Sequence, residues 1–350
     1  MDMNENQPKQ IPFSEVINAL LDNSQPFPAV MMPSLSDISE KNLADVKKIW
    51  RQVDDQRRIA LMEDMEEIQD RDTLSNYSSI SELALDDPLP EVRILAISML
   101  WDWPQKQVAR RLLSMLQHDA DSLVRASAAS GLGNYVYLAE LDEFSSDLAD
   151  QIVDTLLKVI KSDEIKLVRR RALEAVSYSC RDEIPPMIES AYKDPDREWL
   201  ISALCAMGRS NDEAWNKHVL RHLNHSIPEV QFEAIRAAGD LEINEARELL
   251  IDILDHYQDL DEDVRIAAVV SLSKIGGTEV RSTLESLLEE IEDDDEAEII
   301  SSAIENLDFM EMGVLPGMFD LDQFNLGRGE DDDLDDEDDY DDWEEEEFED

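Results

Sequence analysis

The chain of 350 residues carries 83 acidic against 31 basic side chains, a formal charge of −52, with 43% hydrophobic but only 6% aromatic residues. Such a surface repels nucleic acid and anionic lipid, both of which recruit clustered Lys and Arg, so direct nucleic-acid binding is excluded. Sparse rings and only 10 glycines favour helix over strand. No stretch approaches the ~18 apolar residues of a membrane span, and no basic start followed by an apolar run opens the sequence. The expectation is a cytoplasmic protein with no membrane role.

Residues 1–35 hold Pro8, Pro12, Pro26, Pro28 and Pro33 and are expected to be partly ordered. A short amphipathic helix fits Phe13 to Leu21, and the rest should be extended or loose, because a residue before proline avoids the helical region. In residues 36–79, Asp37-Ile38-Ser39-Glu40 begins a helix running through Trp50, and a second helix covers residues 57–68. These two read as an atypical pair capping whatever follows.

From residue 80 to about 310 one pattern recurs: an acid-rich turn, then Val-Arg or a substitute, then Ala four positions after the Val. It appears at Val92-Arg93 with Ala96, Val124-Arg125 with Ala128, and Val168-Arg169 with Ala172. A degenerate copy places Trp199 before Ala203; Val230-Gln231 with Ala234 and Val264-Arg265 with Ala268 follow, and Asp293 to Ala297 is a last, faded copy. The Val-equivalents are separated by 32, 44, 31, 31 and 34 residues. A period in the low thirties suits two helices of three to four turns each. The long interval is expected to hold a lengthened loop at residues 138–147.

Each element of the pattern has a physical reason. The Asp before the second helix stands where orphan N–H groups need an acceptor and where the helix dipole favours an anion. Val and Ala, four apart, make an apolar stripe, and the small Ala admits a close neighbour. Gly133, Gly208, Gly239 and Gly276 are expected at or just beyond the ends of the second helices. The Arg can reach the acidic turn of the adjoining repeat, giving a ladder along the stack.

These copies resemble HEAT repeats, including the shorter lyase-type variant of phycobiliprotein maturation, over residues 80–307. The resemblance implies an all-α fold, an α-α superhelix whose second helices line the concave face. It is weak on function, since the family spans transport receptors, phosphatase scaffolds, chromophore lyases, a DNA repair glycosylase and a metal-dependent hydroxylase. The hydroxylase branch relies on repeated His-Glu pairs, and no His here precedes Glu. The glycosylase branch needs a basic surface. For the lyase branch no chromophore-directed motif is present.

Candidate sites are few. His218 and His222 lie on one helical face, with His225 near the helix end, but no general-base Glu stands between the first two, and a polar outer face accounts for them. Cys180 and Cys205 each sit in an apolar helical pattern and read as buried, inert thiols. No catalytic residue, metal site or cofactor is assigned. Arg170 and Arg171 are a basic spot away from the Val/Ala stripe, explained by local pairing with Asp163, Glu164 and Glu174 or, more sharply, by docking of an acidic segment. Trp101 and Trp103 read as packing between repeats or as an exposed anchor.

Residues 311–329 are irregular and read as a linker or terminal cap. Residues 330–350 contain 17 acids, leaving −35 on the rest of the chain, and like charges repelling one another predict a disordered tail. Tyr340, Trp343 and Phe348 punctuate it, a pattern suited to capture of a basic protein. The expected function is a non-catalytic protein–protein interaction scaffold, with a chromophore-lyase-like enzyme and an acidic chaperone or nucleic-acid mimic as the alternatives.

Overall fold

A computed structural model describes residues 11–311, apart from 73, 102, 258, 259 and 292. Among the described residues there is no strand, and seventeen α-helices follow one another. The N-terminal helices are α1 (Phe13–Leu21), α2 (Glu40–Ile49) and α3 (Asp55–Arg71). Seven hairpins follow, each of a first and a second helix. They are α4 (Ser78–Ala84) with α5 (Pro90–Met99), α6 (Lys106–His118) with α7 (Ser122–Glu140), and α8 (Ser146–Ile160) with α9 (Lys166–Val176). Next come α10 (Pro185–Tyr192) with α11 (Arg197–Arg209), and α12 (Asn216–Leu220) with α13 (Pro228–Asp240). The series ends on α14 (Ala246–Leu254) with α15 (Glu262–Ile275), and α16 (Thr278–Glu290) with α17 (Asp294–Glu311).

The repeated Val and Ala positions form the spine of the core. Val92, Val124, Val168 and Val230 are fully buried and Val264 nearly so, and every Ala four residues later is fully buried. The degenerate Trp199 is half-buried, with the Arg169 guanidinium 5.3 Å from its ring centroid. In the last hairpin Glu296 occupies the Val slot and Ile300 the Ala slot; Glu296 is buried, accepting from the Tyr257 hydroxyl at 2.6 Å and from Arg265. The acids before the second helices act as expected at Asp121, Asp196 and Asp261, whose carboxylates accept the first N–H groups of α7, α11 and α15. Pro90 and Pro228 open α5 and α13, where a missing N–H costs nothing.

Successive second helices pack along one another from α5 to α17, whereas the first helices barely meet their counterparts. Tighter spacing in one layer bends the stack around the second helices, which therefore form its inner surface.

Three expectations about local structure are corrected. The prolines do not leave residues 22–35 loose: Ala29–Ser34 is a 3-10 turn, Met32 and Leu35 are buried, and Arg57 donates to the Asp22 carbonyl at 2.7 Å. The long interval is not a lengthened loop, since α7 continues to Glu140 and α8 starts at Ser146. Gly133 lies inside α7, whereas Gly208 and Gly239 stand one residue before the ends of α11 and α13; none of the three is a left-handed terminator, and each sits at the contact with the next second helix. A Cβ on Gly208 would stand 2.9 Å from the Cα of Ala237, and one on Gly239 would stand 2.7 Å from the Cα of Ser271. Of the four only Gly276 takes the left-handed conformation, with φ 67°, closing α15.

The Arg ladder forms on the rim made by the turns between first and second helices. Arg93 reaches Asp119 at 2.7 Å, and Arg125 holds Glu164 through both its Nε and a terminal nitrogen at 2.9 Å. Lys166 meets Asp196 at 2.7 Å, and Arg265 meets Glu296. The first rung starts outside the repeats, where Arg58 of α3 pairs with Asp87 at 2.8 Å. Both groups are buried, and Asp87 also accepts from the Trp50 indole at 2.7 Å. That cluster fastens the N-terminal helices to the first hairpin.

Candidate interaction surface

Reading each second helix from its Val outward places three further residues on the inner surface, three, six and ten positions on. In α7 these are Ser127, Ser130 and Asn134, a neutral polar strip that is only half-buried. The same places are taken by Arg171 and Glu174 of α9, with Tyr178 just past its end, and by Glu233, Arg236 and Asp240 of α13. The inner surface is thus neutral over α7 and carries both signs of charge over α9 and α13.

The charges are tied to one another. The Ser202 hydroxyl donates to Glu174 at 2.5 Å and accepts from Arg170 Nε at 2.8 Å, while Arg171 donates to Glu174 at 2.9 Å. Burial alone would raise the Glu174 carboxyl, but the guanidinium groups of Arg171, Arg170 and Arg209 and the Ser202 hydroxyl outweigh it and hold it at about 2. Arg236 pairs with Glu233 at 3.2 Å and donates to the Cys205 thiol at 2.9 Å. Burial pushes that thiol up to about 12, so it stays protonated and unreactive. Lys274 and Asp240 pair at 2.8 Å across α15 and α13.

Arg170 is therefore not a docking point. Its side chain is buried and committed to Ser202 and to Glu198 at 2.8 Å. Arg171 takes the local partner expected of it, Glu174, whereas Glu164 is held by Arg125. Cys180 is exposed, against expectation, because α9 ends at Val176 and the chain has left the core by the thiol. His222 is held in a ring cluster, its Nε2 3.0 Å from the Tyr192 hydroxyl and the Tyr192 ring 5.0 Å from that of His218. Burial and the neighbouring His225, Arg221 and His218 depress His222 to about 4. Among the described residues no group of His, Cys, Asp and Glu has the arrangement of a metal site.

The opposite rim, where second helices end, carries the exposed rings of Trp103 and Tyr137. Trp101 is half-buried and its carbonyl accepts from Asn134 at 2.6 Å, while Trp103 is 39% exposed. Tyr137 on the extended end of α7 is 45% exposed, its ring 5.3 Å from that of Tyr178. The Arg209 guanidinium lies 5.2 Å from the Tyr178 centroid. Of the two tryptophans Trp103 is the exposed one and Trp101 the one tied to its neighbour. Tyr137, Tyr178 and Arg209 were missed in the sequence; their shared signal is the helix-end position, visible only once the hairpins are aligned. Tyr340, Trp343 and Phe348 lie outside the described residues.

A family model of HEAT repeats matches residues 78–148 and 216–308. This chain is a HEAT-repeat protein. Its HEAT hairpins between the two matched stretches, α8 to α11, pack in the same way as the matched ones. Among solved structures it is similar to the X-ray structure of Escherichia coli YibA, at 17% identity and a TM-score of 0.37 over 87% of this chain and 99% of that one. It is also similar to lipovitellin, from a study of its lipid–protein interactions, at 14% identity and a TM-score of 0.35. That match covers 90% of this chain but only 33% of lipovitellin. No curated protein matches it in sequence. Among the described residues no helix is long and apolar enough to cross a membrane.

Proposed function

We propose that this HEAT-repeat chain is an interaction scaffold that works by recognition, holding a protein partner on the surface formed by its second helices and making or breaking no bond. The observation that supports this most is the fixed inner surface, neutral over α7 and charge-paired from Arg171 to Lys274. Its side chains are ordered by one another before any partner arrives, which lowers the entropy lost on binding. The acid-rich residues 330–350, with Tyr340, Trp343 and Phe348, would recruit a basic partner through rapid electrostatic encounter and short-range ring contacts.

Affinity capture with the full-length chain and with a chain lacking residues 330–350, each at low and raised salt, tests this. Partners held by the solenoid should persist on truncation, and a basic partner should be lost with the tail or with added salt. Failure of both forms to retain any saturable protein partner would overturn the proposal.

A further inference from the structure

The two rims of the stack are both acidic, but they differ in what their acids do. On the ladder rim Asp119, Glu164 and Asp196 are held by Arg and Lys at 2.7 to 2.9 Å. On the opposite rim four successive connections each carry an exposed pair: Asp142 and Glu143 after α7, Asp182 and Glu183 after α9, Asp212 and Glu213 after α11, and Glu242 and Glu245 after α13. Among the described residues none of these eight meets a basic side chain.

Two exposed aromatic residues lie on this same rim. Trp103 and Tyr137 are 39% and 45% exposed, and Leu141 beside the first acid pair is 50% exposed. Large exposed rings are unusual on so polar a surface, and Tyr and Trp are the residues that most often carry binding energy. The rim also shows what suits such rings. Tyr178, next to Tyr137, already has the Arg209 guanidinium on its face at 5.2 Å. Among the described residues Trp103 and Tyr137 have no cation on theirs.

We infer that this rim is a docking surface for an extended, basic peptide segment whose cations recur at every third residue. Second helices that pack directly repeat at about 10 Å, and three extended residues also span about 10 Å. One cation per hairpin then meets one acid pair, while the stem of an intervening Lys or Arg lies on Tyr137 or Trp103. The inference rests on the reading of the chain as an interaction scaffold and adds the partner's chemistry and its place.

The test uses the full-length chain and two synthetic peptides of identical composition, one with a lysine at every third residue and one with the same lysines contiguous. Fluorescence anisotropy should give about fivefold tighter binding for the spaced peptide. That preference should vanish in the Trp103→Ser/Tyr137→Ser variant, and in a charge variant carrying Asp142→Asn, Glu143→Gln, Asp182→Asn and Glu183→Gln. Circular dichroism verifies the fold, and the charge variant alters only exposed connections should the ring variant unfold. Equal affinity for the two peptides, or unchanged binding by both variants, overturns the inference and points to the acidic residues 330–350 as the place where basic segments bind, leaving the scaffold reading intact. Spaced-peptide binding at the rim, with no protein partner retained in affinity capture, would instead remove the scaffold reading and keep the rim as a peptide site.

Discussion

Gly239 of α13 and Ser271 of α15 approach so closely that a Cβ on the glycine would stand 2.6 Å from the serine hydroxyl oxygen. Ser271 cannot withdraw freely, because that hydroxyl donates to the Ile235 carbonyl of α13 at 2.8 Å. Gly239→Ala should therefore lose about 1–3 kcal/mol in chemical denaturation despite the better helix propensity of alanine. Gly133→Ala, whose Cβ would stand 3.1 Å from the Cα of Ala175, should stay within about 1 kcal/mol of the parent. Equal effects at the two sites would show that contact between second helices does not set the cost.

Glu174 is the hub of the inner charge network. Glu174→Gln removes the carboxylate that Arg170, Arg171 and Arg209 face and leaves guanidinium groups buried without it. A loss of about 3–5 kcal/mol is expected, measured by denaturant midpoint. A change below about 1 kcal/mol would mean that the network is solvated in solution.

Acid should weaken the fold in two windows. His222 titrates at about 4 when folded against 6.5 for the ordinary group, so its contribution is complete above pH 6.5 and is lost as the pH falls toward 4. Glu174, held at about 2 against 4.5, contributes fully above pH 4.5 and loses that contribution as the pH falls toward 2. His222→Gln should flatten the thermal-stability profile between pH 6.5 and 4 while leaving the lower window in place. An unaltered profile would contradict the buried, neutral assignment.

The two thiols should react unequally. Cys180 is exposed and Cys205 is buried against Arg236. A chromogenic thiol reagent should modify one thiol in the native chain and the second only in denaturant. Cys180→Ser should abolish the native reaction, and reaction persisting in that variant would place Cys205 within reach of solvent.

Much of the architecture was legible because the Val and Ala of the second helix recur in one chemical form, and a core position tolerates little else. The rungs at Arg93, Arg125 and Arg265 were legible for the same reason, but the one expected at Arg169 was not formed: Arg169 donates to the Ile160 carbonyl and lies over Trp199, and Lys166 reaches Asp196 instead. Reading failed where a residue's role is set by the next hairpin. Gly133, Gly208 and Gly239 are ambiguous locally, since a glycine near a helix end serves equally as a terminator or as a point of close approach. Arg170 looked free because its partners, Glu198 and Ser202, are supplied by α11. Cys180 looked buried because the apolar rhythm of α9 continues for one more turn in sequence than in the helix. Tyr137 and Tyr178 escaped notice because they occupy no common spacing; an extended α7 and a short α9 bring their rings to 5.3 Å.

The central claim is that a protein partner lies on the layer of second helices. A photo-activated cross-linking residue placed at Ser127, on the inner surface of α7, or at Ser114, exposed on the first helix α6, addresses it directly. Irradiation in the presence of a partner retained by the full-length chain should give a covalent adduct from position 127 and none from position 114. An adduct from position 114 alone, or equal adducts from both, would contradict the account.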